Sequence, residues 1–243
     1  MPYNFSLVLP CYNEEKNIFF LYKEFIEINF NNEKIELIFV NNGSADNTDE
    51  EIEKVIKLHA LSNKKNIHIK KIFLKTNQNY SGGVIAGLLR AEGNFIGWSH
   101  ADLQTPLKDF YDIYLMIKDH NEILGKGKRI NRQPLDQFIT TLHELFSKII
   151  LGVEMKEINA APKIFNKKMM RIFNQLPHES TLLDTYLVFR CLKKKIKIFE
   201  MNVDFKARQH GKSKWKNNFF NLFKHLIINF LYLLKLRFTY DNN

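Results

Sequence analysis

The chain has 243 residues, of which 45% are hydrophobic and 26% are charged. This composition excludes an intrinsically disordered protein, and the length suits one large domain or two small ones with a sizeable core. The two cysteines, Cys11 and Cys191, have no CxxC or metal-binding spacing, so we expect reduced thiols in a cytoplasmic protein. The N-terminal segment has no basic residue before its short apolar run, which is not the pattern of a secretory signal.

The net charge of +10 is concentrated late in the chain, because residues 193–216 contain nine Lys or Arg and two acids. Such a stretch can serve nucleic acid, an anionic membrane surface or a phosphorylated ligand. It is accompanied by no RNP-type aromatic pattern, zinc finger or helix-turn-helix signal. We therefore expect no nucleic-acid partner.

Predicted strands and helices alternate along the first hundred residues. The strand "FSLVLP" at 5–10 is followed by "NEEKNIFFLYKEFIEINF", whose apolar residues have helical spacing. A strand at 35–40, a helix beginning near Ser44 and the strand "IHIKKIFL" at 67–74 come next. "NYSGGVIAGLLRAEG" predicts a small-residue helix ending at Gly93, and its GG-xxx-G pattern favours close helix packing over a dinucleotide fingerprint. With a further strand, "FIGWSH" at 95–100, this order predicts a mostly parallel α/β sheet covered by helices.

Polar clusters follow three of these strands at the point where each ends. They are "LPCYNEE" after the first strand, "NNGSADN" after the second and "SHADLQTP" after the fourth. The carboxyl ends of parallel strands lie at one edge of a sheet, and ligands of such folds bind in the crevice beyond that edge. The sequence therefore predicts one polar site built from three distant segments.

In their order, "LPCYNEEKNI", "VNNGSADNT", "HADLQTP", "GKR" and "RQHGKSKW" resemble the motifs of the family 2 glycosyltransferases. The resemblance covers about residues 4–215 and is closest to the dolichyl- and polyprenyl-phosphate sugar transferases. It implies a GT-A (Rossmann-like) catalytic domain at 1–215, with a mostly parallel sheet flanked by helices. Residues 216–243 are left as an amphipathic helix.

The resemblance also implies which residues contact the nucleotide of a nucleotide-sugar donor. They are Pro10, Tyr12, Asn13, Glu14, Asn41, Asn42, Ser44, His100, Ala101, Arg208, Lys212, Ser213 and Lys214. The family usually has two acids where this chain has Asn41 and Asn42. An amide both donates and accepts hydrogen bonds, so it can still read a base edge, but it supplies no carboxylate charge. For Glu14, the alternative is a carboxylate that only stabilises a helix N-terminus.

A divalent cation, Mg²⁺ or Mn²⁺, is the implied cofactor. Asp102 and Gln104 match the family's Asp-x-Asp-x-Gln metal motif, and Asp102 is assigned a catalytic role. His100 replaces the first acid of that motif. As a further candidate ligand it would suit Mn²⁺ better than Mg²⁺. Its alternatives are a hydrogen bond to phosphate or a structural role at the strand end.

The acceptor side is implied by later segments. Lys128, Arg129, Arg132 and Lys163 are the expected acceptor-binding residues, and Arg129 and Asp184 are assigned catalytic roles. Arginine suits forked contacts with a phosphate. The alternatives are a solvated basic loop around Arg129 and a carboxylate at a helix end for Asp184. "NAAPK", which ends at Lys163, stands where relatives often read Ser-Gly-Phe-Arg, and Lys163 keeps only the charge of the arginine.

The C-terminal segment "NNFFNLFKHLIINFLYLLKLRF" is largely apolar but carries a polar stripe at helical spacing, formed by Asn221, Lys224, His225, Asn229, Tyr232 and Lys235. This pattern predicts a helix lying on a membrane surface rather than crossing it. Packing on the catalytic domain or in a dimer is the alternative.

The expected reaction is inverting transfer of a sugar from a nucleotide-diphosphate sugar to a membrane polyprenyl phosphate, at the inner face of the cytoplasmic membrane. A phosphate is already an anionic nucleophile near neutral pH. One alternative is transfer to a saccharide hydroxyl during surface-polysaccharide assembly, with Asp184 as general base. Another is a non-catalytic sugar-nucleotide-binding accessory protein. The sequence does not determine whether the chain forms a homo-oligomer.

Overall fold

The computed structural model describes residues 2–175, 182–208 and 219–240. The strands of these residues are β1 (Tyr3–Cys11), β2 (Ile35–Asn42), β3 (Ile67–Leu74), β4 (Gly93–Trp98), β5 (Ile123–Ile130), β6 (Lys163–Asn166) and β7 (Lys197–Asp204). The helices are α1 (Glu15–Glu27), α2 (Thr48–Ala60), α3 (Asn79–Leu88), α4 (Lys108–Ile117), α5 (Pro134–Leu151), α6 (Leu183–Lys193) and α7 (Phe219–Tyr240), with a 3₁₀ helix at Lys167–Gln175.

The strands form one sheet in the order β3-β2-β1-β4-β6-β5-β7. β1 pairs in parallel with β2 and with β4, β2 pairs in parallel with β3, and β5 pairs in parallel with β7. Only β6 runs the other way among these strands, because it is antiparallel to both of its neighbours, β4 and β5. The predicted mostly parallel α/β fold is confirmed.

A hydrophobic core covers each face of the sheet. Successive residues of β2 alternate between the two cores, since Leu37 and Phe39 join one while Ile38 and Val40 join the other. The first core packs α1, α2 and α4 on the sheet, and the second packs α3, α5, α6 and α7. Every residue of β2 is buried, and its apolar run at residues 37–40 is typical of a strand covered on both faces, whereas Asn41 and Asn42 at its end are polar. Each large apolar side chain buried here contributes roughly 1.5–3 kcal/mol.

Helix α3 packs closely against the sheet through glycine, as its GG-xxx-G pattern predicts. A Cβ atom at Gly87 would lie 2.2 Å from Val8 Cγ1, and one at Gly83 would lie 3.0 Å from Asn42 Nδ2. No L side chain fits such gaps without movement of its neighbours. The glycines therefore set the distance between α3 and the ends of β1 and β2.

The fourth strand lies two residues earlier than the predicted range of 95–100, and the predicted helix end at Gly93 is wrong. Helix α3 ends at Leu88, whereas Gly93 is the first residue of β4 and pairs with Tyr3. The Gly93 amide also donates a hydrogen bond of 2.8 Å to Ser6 Oγ. Gly93 thus belongs to the sheet, and the segment after Trp98 is free to form a loop.

Helix α7 packs along α5 and contributes to the second core. Its Tyr232, Leu233 and Leu236 are buried there. Phe230 contacts Phe146 of α5 edge to face, with ring centroids 5.7 Å apart. Asn229 and Tyr232 of the predicted polar stripe are buried, so this part of the stripe faces the protein rather than water. This contact corresponds to the alternative in which the helix packs on the catalytic domain.

Apolar side chains stay exposed on the two helices. On α5 these are Phe138, Leu145 and Ile149; on α7 they are Ile227, Ile228, Phe230, Leu231 and Phe238. We call these eight residues the α5–α7 apolar surface. Within the described ranges 2–175, 182–208 and 219–240, none of the helices is both long enough and apolar enough to cross a bilayer.

Candidate functional site

The three predicted polar segments meet at one edge of the sheet. Cys11, at the end of β1, pairs with Asn41, and the amide of Ser99 donates a hydrogen bond of 3.1 Å to the Val8 carbonyl. The segments that begin at Tyr12, Asn41 and Ser99 are therefore neighbours, as the strand order predicts. Lys163 also lies at this edge, opposite Trp98, because β6 runs antiparallel to β4.

The first two loops are joined by Asn13. Its amide N–H donates to Ser44 Oγ at 3.0 Å, and its Oδ1 accepts from the Ala45 amide at 2.9 Å. Asn13 has a φ of 59°, in the left-handed region that asparagine tolerates better than most residues. Both Asn13 and Ser44 thus shape the edge of the crevice. Pro10 lies close to helix α3, since a Cβ atom added at Gly83 would be 3.3 Å from the Cβ of Pro10.

Glu14 follows at the base of the same loop and is partly buried. Its Oε2 accepts a hydrogen bond of 2.5 Å from Asn17 Nδ2. Burial is the largest cause of the rise of its pKa to about 7. Asp102 and Asp46 raise the pKa further, whereas the bond from Asn17 and the charge of Arg208 lower it. A carboxyl group that titrates near neutral pH therefore lies within electrostatic reach of the metal motif.

Asn41 and Asn42 make hydrogen bonds that a carboxylate could not make. Asn41 Oδ1 accepts from the Ser44 amide at 3.0 Å, while its Nδ2 donates to Asp49 Oδ1 at 3.0 Å. Asn42 Oδ1 accepts from the Gln78 amide at 2.9 Å, and its Nδ2 donates to the Asn79 carbonyl at 2.8 Å. The donor capacity of the amides is thus used inside the protein. Contact of either side chain with a nucleoside stays a prediction.

In the metal motif, the oxygens of Asp102 and Gln104 converge on the guanidinium of Arg208. Asp102 Oδ2 lies 3.0 Å from Arg208 Nη2, and Gln104 Oε1 accepts from Arg208 Nε at 3.0 Å. Asp102 Oδ1 accepts from the Gln104 amide at 3.2 Å. Arg208 is therefore brought to the metal motif from the segment after β7, and its contact with a nucleotide stays a prediction. Lys212, Ser213 and Lys214 of the same motif lie outside the described residues.

His100 stacks on an aromatic side chain that sequence reasoning missed. Its ring lies 5.5 Å from that of Tyr80, with 27° between the planes, and Tyr80 Oη accepts a hydrogen bond of 2.7 Å from Trp98 Nε1. Burial lowers the pKa of His100 below its ordinary value, although Asp102 and Asp184 act in the opposite direction. Burial thus favours the neutral form of this imidazole. Ala101 is buried beside it.

Asp184 and Lys163, two of the residues predicted for the acceptor side, form a buried ion pair. Lys163 Nζ lies 2.5 Å from Asp184 Oδ1 and donates to the Ala160 carbonyl at 2.7 Å. It also lies 5.8 Å from the ring centroid of Trp98. Burial lowers the pKa of Lys163 to about 8, against the opposing effect of Asp184. The two predicted residues are thus brought together, and each is the counter-ion of the other.

Glu157, which sequence reasoning also missed, bridges Arg129 and Arg132. Its two oxygens lie 2.7 Å from Arg129 Nε and 2.7 Å from Arg132 Nη1. Burial would raise the pKa of Glu157, but the arginines outweigh it and hold the pKa below its usual range. Lys128 is exposed on the same strand. Arg129 and Arg132 are therefore held in place by an acid, whereas Lys128 faces solvent.

The donor set of the metal motif fits a hard divalent cation. Among residues 2–175, 182–208 and 219–240, no group of three His, Cys, Asp or Glu side chains is arranged to hold a metal ion. Mg²⁺ is, however, often bound by one or two carboxylates together with substrate phosphates. Asp102 and the amide oxygen of Gln104 supply that kind of incomplete site. His100 stacks on Tyr80, and its role as a ligand stays a prediction.

Comparison with protein families gives a match over most of the chain. The sequence model described as "Glycosyl transferase family 2" matches residues 6–181. This range contains the three loops at the sheet edge, the Arg129 region and Lys163.

Two named relatives are similar over most of this chain. An undecaprenyl-phosphate 4-deoxy-4-formamido-L-arabinose transferase of Proteus mirabilis is 25% identical over 214 residues, which is 86% of this chain and 62% of the relative. A dolichyl-phosphate beta-glucosyltransferase of Trichomonas vaginalis is 24% identical over 235 residues, 86% of this chain and 68% of the relative. The chain thus spans less than two thirds of the length of the Proteus protein.

A solved structure supports the fold. The mannosyltransferase PcManGT from Pyrobaculum calidifontis, in complex with GDP-Man and Mn²⁺, superposes with a TM-score of 0.66 at 15% identity. The match covers 97% of this chain and 65% of that structure. At this identity the likeness concerns the GT-A fold alone.

Proposed function

The chain belongs to glycosyl transferase family 2, and on that basis we propose that it transfers a sugar from a nucleotide-diphosphate sugar to the phosphate of a polyprenyl lipid, with inversion at the anomeric carbon. The names of the relatives from Proteus mirabilis and Trichomonas vaginalis, which specify undecaprenyl and dolichyl phosphate, support this class of acceptor. The donor binds at the edge of β1, β2 and β4. The acceptor binds beside β5 and β6.

The observation that carries the choice of acceptor is the Lys163–Asp184 ion pair. Transfer to a sugar hydroxyl requires a base that removes the hydroxyl proton. Asp184 is the predicted base, but its Oδ1 is already engaged by the buried ammonium group of Lys163 at 2.5 Å, so this oxygen is not free to accept a hydroxyl proton. A phosphate nucleophile is anionic already and needs no such base.

The basic group around Arg129 is suited to the lipid phosphate. The Arg129 side chain contacts Glu157 through Nε, and a guanidinium has five N–H donors, so capacity for an anion remains. Arg129 also lies 5.4 Å from the centroid of the Phe205 ring, which helps to fix its plane. Charge-assisted contacts of this kind position a phosphate for attack on the donor sugar.

A divalent cation would be held by Asp102 and Gln104 together with the donor phosphates. When bound, it would stabilise the negative charge that develops on the nucleoside diphosphate as the sugar leaves. His100 lies on the same loop as Asp102, and its ring can donate a hydrogen bond to a phosphate oxygen of the donor.

The α5–α7 apolar surface supports an encounter with a membrane. Its exposed apolar side chains lie on two adjacent helices that also carry the exposed cations Lys148 and Lys235. Exposed apolar residues next to cations favour the interface of an anionic membrane. A lipid-linked phosphate would be reached from such a position.

The donor is identified first, by a thermal-shift screen of UDP-, GDP- and CDP-sugars with Mg²⁺ or Mn²⁺. A ligand that binds only the folded state raises the melting temperature. The acceptor is then tested by transfer assays with a short-chain polyprenyl phosphate and with its dephosphorylated alcohol. We expect transfer to the phosphate and none to the alcohol.

Two variants separate phosphate from hydroxyl acceptors. Arg129→Ala should lower kcat/KM for the acceptor about 10- to 150-fold with little change in donor affinity, because one charge-assisted contact is lost. Asp184→Asn should lower kcat/KM for the acceptor less than Arg129→Ala does. Circular dichroism verifies that the compared variants are folded. Arg171→Ala, which removes an exposed arginine paired with Glu122, is the control.

The reverse order, with a loss of about 10²–10⁴-fold for Asp184→Asn, would identify a saccharide hydroxyl as acceptor. Donor binding without any turnover or donor hydrolysis would identify an accessory protein.

A further inference from the structure

We propose that Arg208 is a positioning residue with two alternating partners, the metal-motif oxygens of Asp102 and Gln104 before the donor binds and the donor diphosphate afterwards. The inference rests on the proposed function and concerns the order in which cation and donor enter the site. The observation behind it is that the Arg208 guanidinium contacts both side-chain oxygens, of Asp102 and Gln104, that would be ligands of the cation.

The guanidinium and a divalent cation compete for the same atoms. Arg208 Nη2 lies 3.0 Å from Asp102 Oδ2, and Arg208 Nε lies 3.0 Å from Gln104 Oε1. A cation that uses these oxygens as ligands must displace the guanidinium from both. Asp102 is the only carboxylate of the motif, because His100 replaces the first acid. The charge of the motif is therefore fully balanced by Arg208.

Asp102 and Arg208 differ in how far their side chains are exposed to solvent. The Asp102 side chain is 6% exposed, whereas that of Arg208 is 33% exposed. The guanidinium thus lies between the carboxylate and solvent and can leave toward solvent, while Asp102 stays in place. Displacement by a free cation alone is unfavourable, because it leaves the arginine without its anionic partner. A nucleoside diphosphate supplies a new anion for that arginine.

The backbone next to Arg208 is anchored to the same loop. Gln104 Nε2 donates to the Lys206 carbonyl at 2.8 Å, and the Lys206 amide donates to the Gln104 carbonyl at 2.8 Å. These two bonds hold residue 206 against the metal motif while the Arg208 side chain changes partner. The exchange consequently requires rotation of one side chain and no separation of the two segments.

It follows that the cation and the nucleotide bind cooperatively for two reasons. The phosphates supply ligands to the cation, and the exchange of partners by Arg208 adds a second source of coupling. The nucleotide removes Arg208 from Asp102 and thereby opens the cation site. By thermodynamic linkage, the cation raises the affinity for the nucleotide by the same factor. Without Arg208, the cation site is open from the start and this part of the coupling is lost.

The test measures Mn²⁺ binding to the full chain without nucleotide, by the electron paramagnetic resonance signal of free Mn²⁺. Arg208→Ala should bind Mn²⁺ about tenfold more tightly than the wild type, the effect of removing one half-buried charge-assisted contact. Arg208→Lys should lie between the two. Adding Asp102→Asn to Arg208→Ala should abolish the gain, which assigns the bound ion to the metal motif.

Lys206→Ala is the matched control, because it removes one exposed positive charge two residues away without touching Asp102. It should change Mn²⁺ affinity less than twofold. With saturating UDP or GDP, tested in parallel, the ratio of Mn²⁺ affinities with and without nucleotide should be about tenfold smaller in Arg208→Ala than in the wild type. Circular dichroism verifies that each variant is folded, and Arg208→Gln replaces the alanine variant if that one is not.

The proposal is overturned if Arg208→Ala binds Mn²⁺ no more tightly than the wild type, including the case in which neither binds it. Equal gains for Arg208→Ala and Lys206→Ala would also overturn it, since they would reflect net charge alone. In both cases the proposed transfer reaction survives if the wild type still binds a nucleotide sugar. Failure of the wild type to bind any nucleotide sugar would reject the transfer reaction itself.

Discussion

Lys163 Nζ and Asp184 Oδ1 lie 2.5 Å apart, and both side chains are buried. The ammonium group comes from the first residue of β6 and the carboxylate from the first turn of α6. The pair thereby connects the sheet edge to a helix of the second core. Its two members depend on each other, because either charge left alone would lose the partner that it directly contacts.

Removing one member of the pair should be far more costly than removing both. We expect Lys163→Met to lower the free energy of unfolding by about 3–5 kcal/mol, because Asp184 is left as an unpaired buried charge. The double variant with Asp184→Leu should recover most of that loss. Urea unfolding followed by circular dichroism measures both. Lys108→Met, which breaks an exposed pair with Asp112, should cost less than about 1 kcal/mol. If Lys163→Met and Asp184→Leu changed the free energy of unfolding additively, this account would be contradicted.

The raised pKa of Glu14 predicts a pH dependence of stability. Its folded pKa is about 7 against an ordinary value of 4.5, so the folded state holds this proton over a range in which the unfolded state has lost it. Stability should therefore fall as the pH rises from about 4.5 to about 7. Asn17, Asp46, Asp102 and Arg208 act on this carboxyl group, and burial is the largest cause.

Glu14→Gln should remove that pH dependence. One pKa unit corresponds to about 1.4 kcal/mol, so we expect the variant to gain about 1–3 kcal/mol relative to the wild type on going from pH 5 to pH 8, after discounting for partial exposure. Urea unfolding at the two pH values measures the difference. Glu27→Gln, at an exposed position in the last turn of α1, is the control. An equal change of stability with pH in wild type and Glu14→Gln would refute the assignment.

Asn41→Asp should destabilise the protein although it restores the residue type usual in the family. The new carboxylate would replace the amide that now donates to Asp49 at 3.0 Å, and two acids would face each other. We expect a loss of about 1–3 kcal/mol in a thermal or urea denaturation experiment. Adding Asp49→Asn exchanges the two groups and should restore most of the stability. A double variant no more stable than Asn41→Asp would argue against this contact.

Gly87→Ala tests the close approach of α3 to the sheet. Helix propensity alone would favour alanine by about 1 kcal/mol. The new Cβ would lie 2.2 Å from Val8 Cγ1, so we expect overpacking to prevail and to cost about 1–3 kcal/mol net. In the Val8→Ala background the substitution should be neutral or stabilising. If Gly87→Ala stabilises the otherwise unchanged protein, the packing distance is larger than described.

The pattern of apolar runs and polar strand ends was sufficient to predict strands β1 to β4 and the convergence of Tyr12, Asn41 and Asp102, since both follow from local periodicity and from the geometry of parallel strands. Strands β5 and β7 were not predicted. The four-residue strand β6 was not predicted, because "KIFN" is too short for its pairing to be read from sequence. Its direction alone brings Lys163 to the site edge.

Partners of the site residues were harder to predict than the residues themselves. Glu157 lies in a loop and meets Arg129 only through tertiary contact, and Tyr80 precedes the glycines of α3 without a signal of its own. Arg208 was predicted to bind a diphosphate, but its contact with Asp102 depends on how two distant loops pack. Residue type thus indicated chemistry, whereas the pairing of charges required the fold.

The position of β6 between β4 and β5 has a consequence for the order of events during synthesis. Strands β1 to β4 lie side by side in the sheet, so all of them can pair once the ribosome has released the chain up to Trp98 and beyond. β5 emerges next but has no partner from the preceding strands, because the place beside β4 belongs to β6. N-terminal segments of a nascent chain generally fold first. The half of the sheet assigned to the donor can therefore form while the half assigned to the acceptor is still being translated.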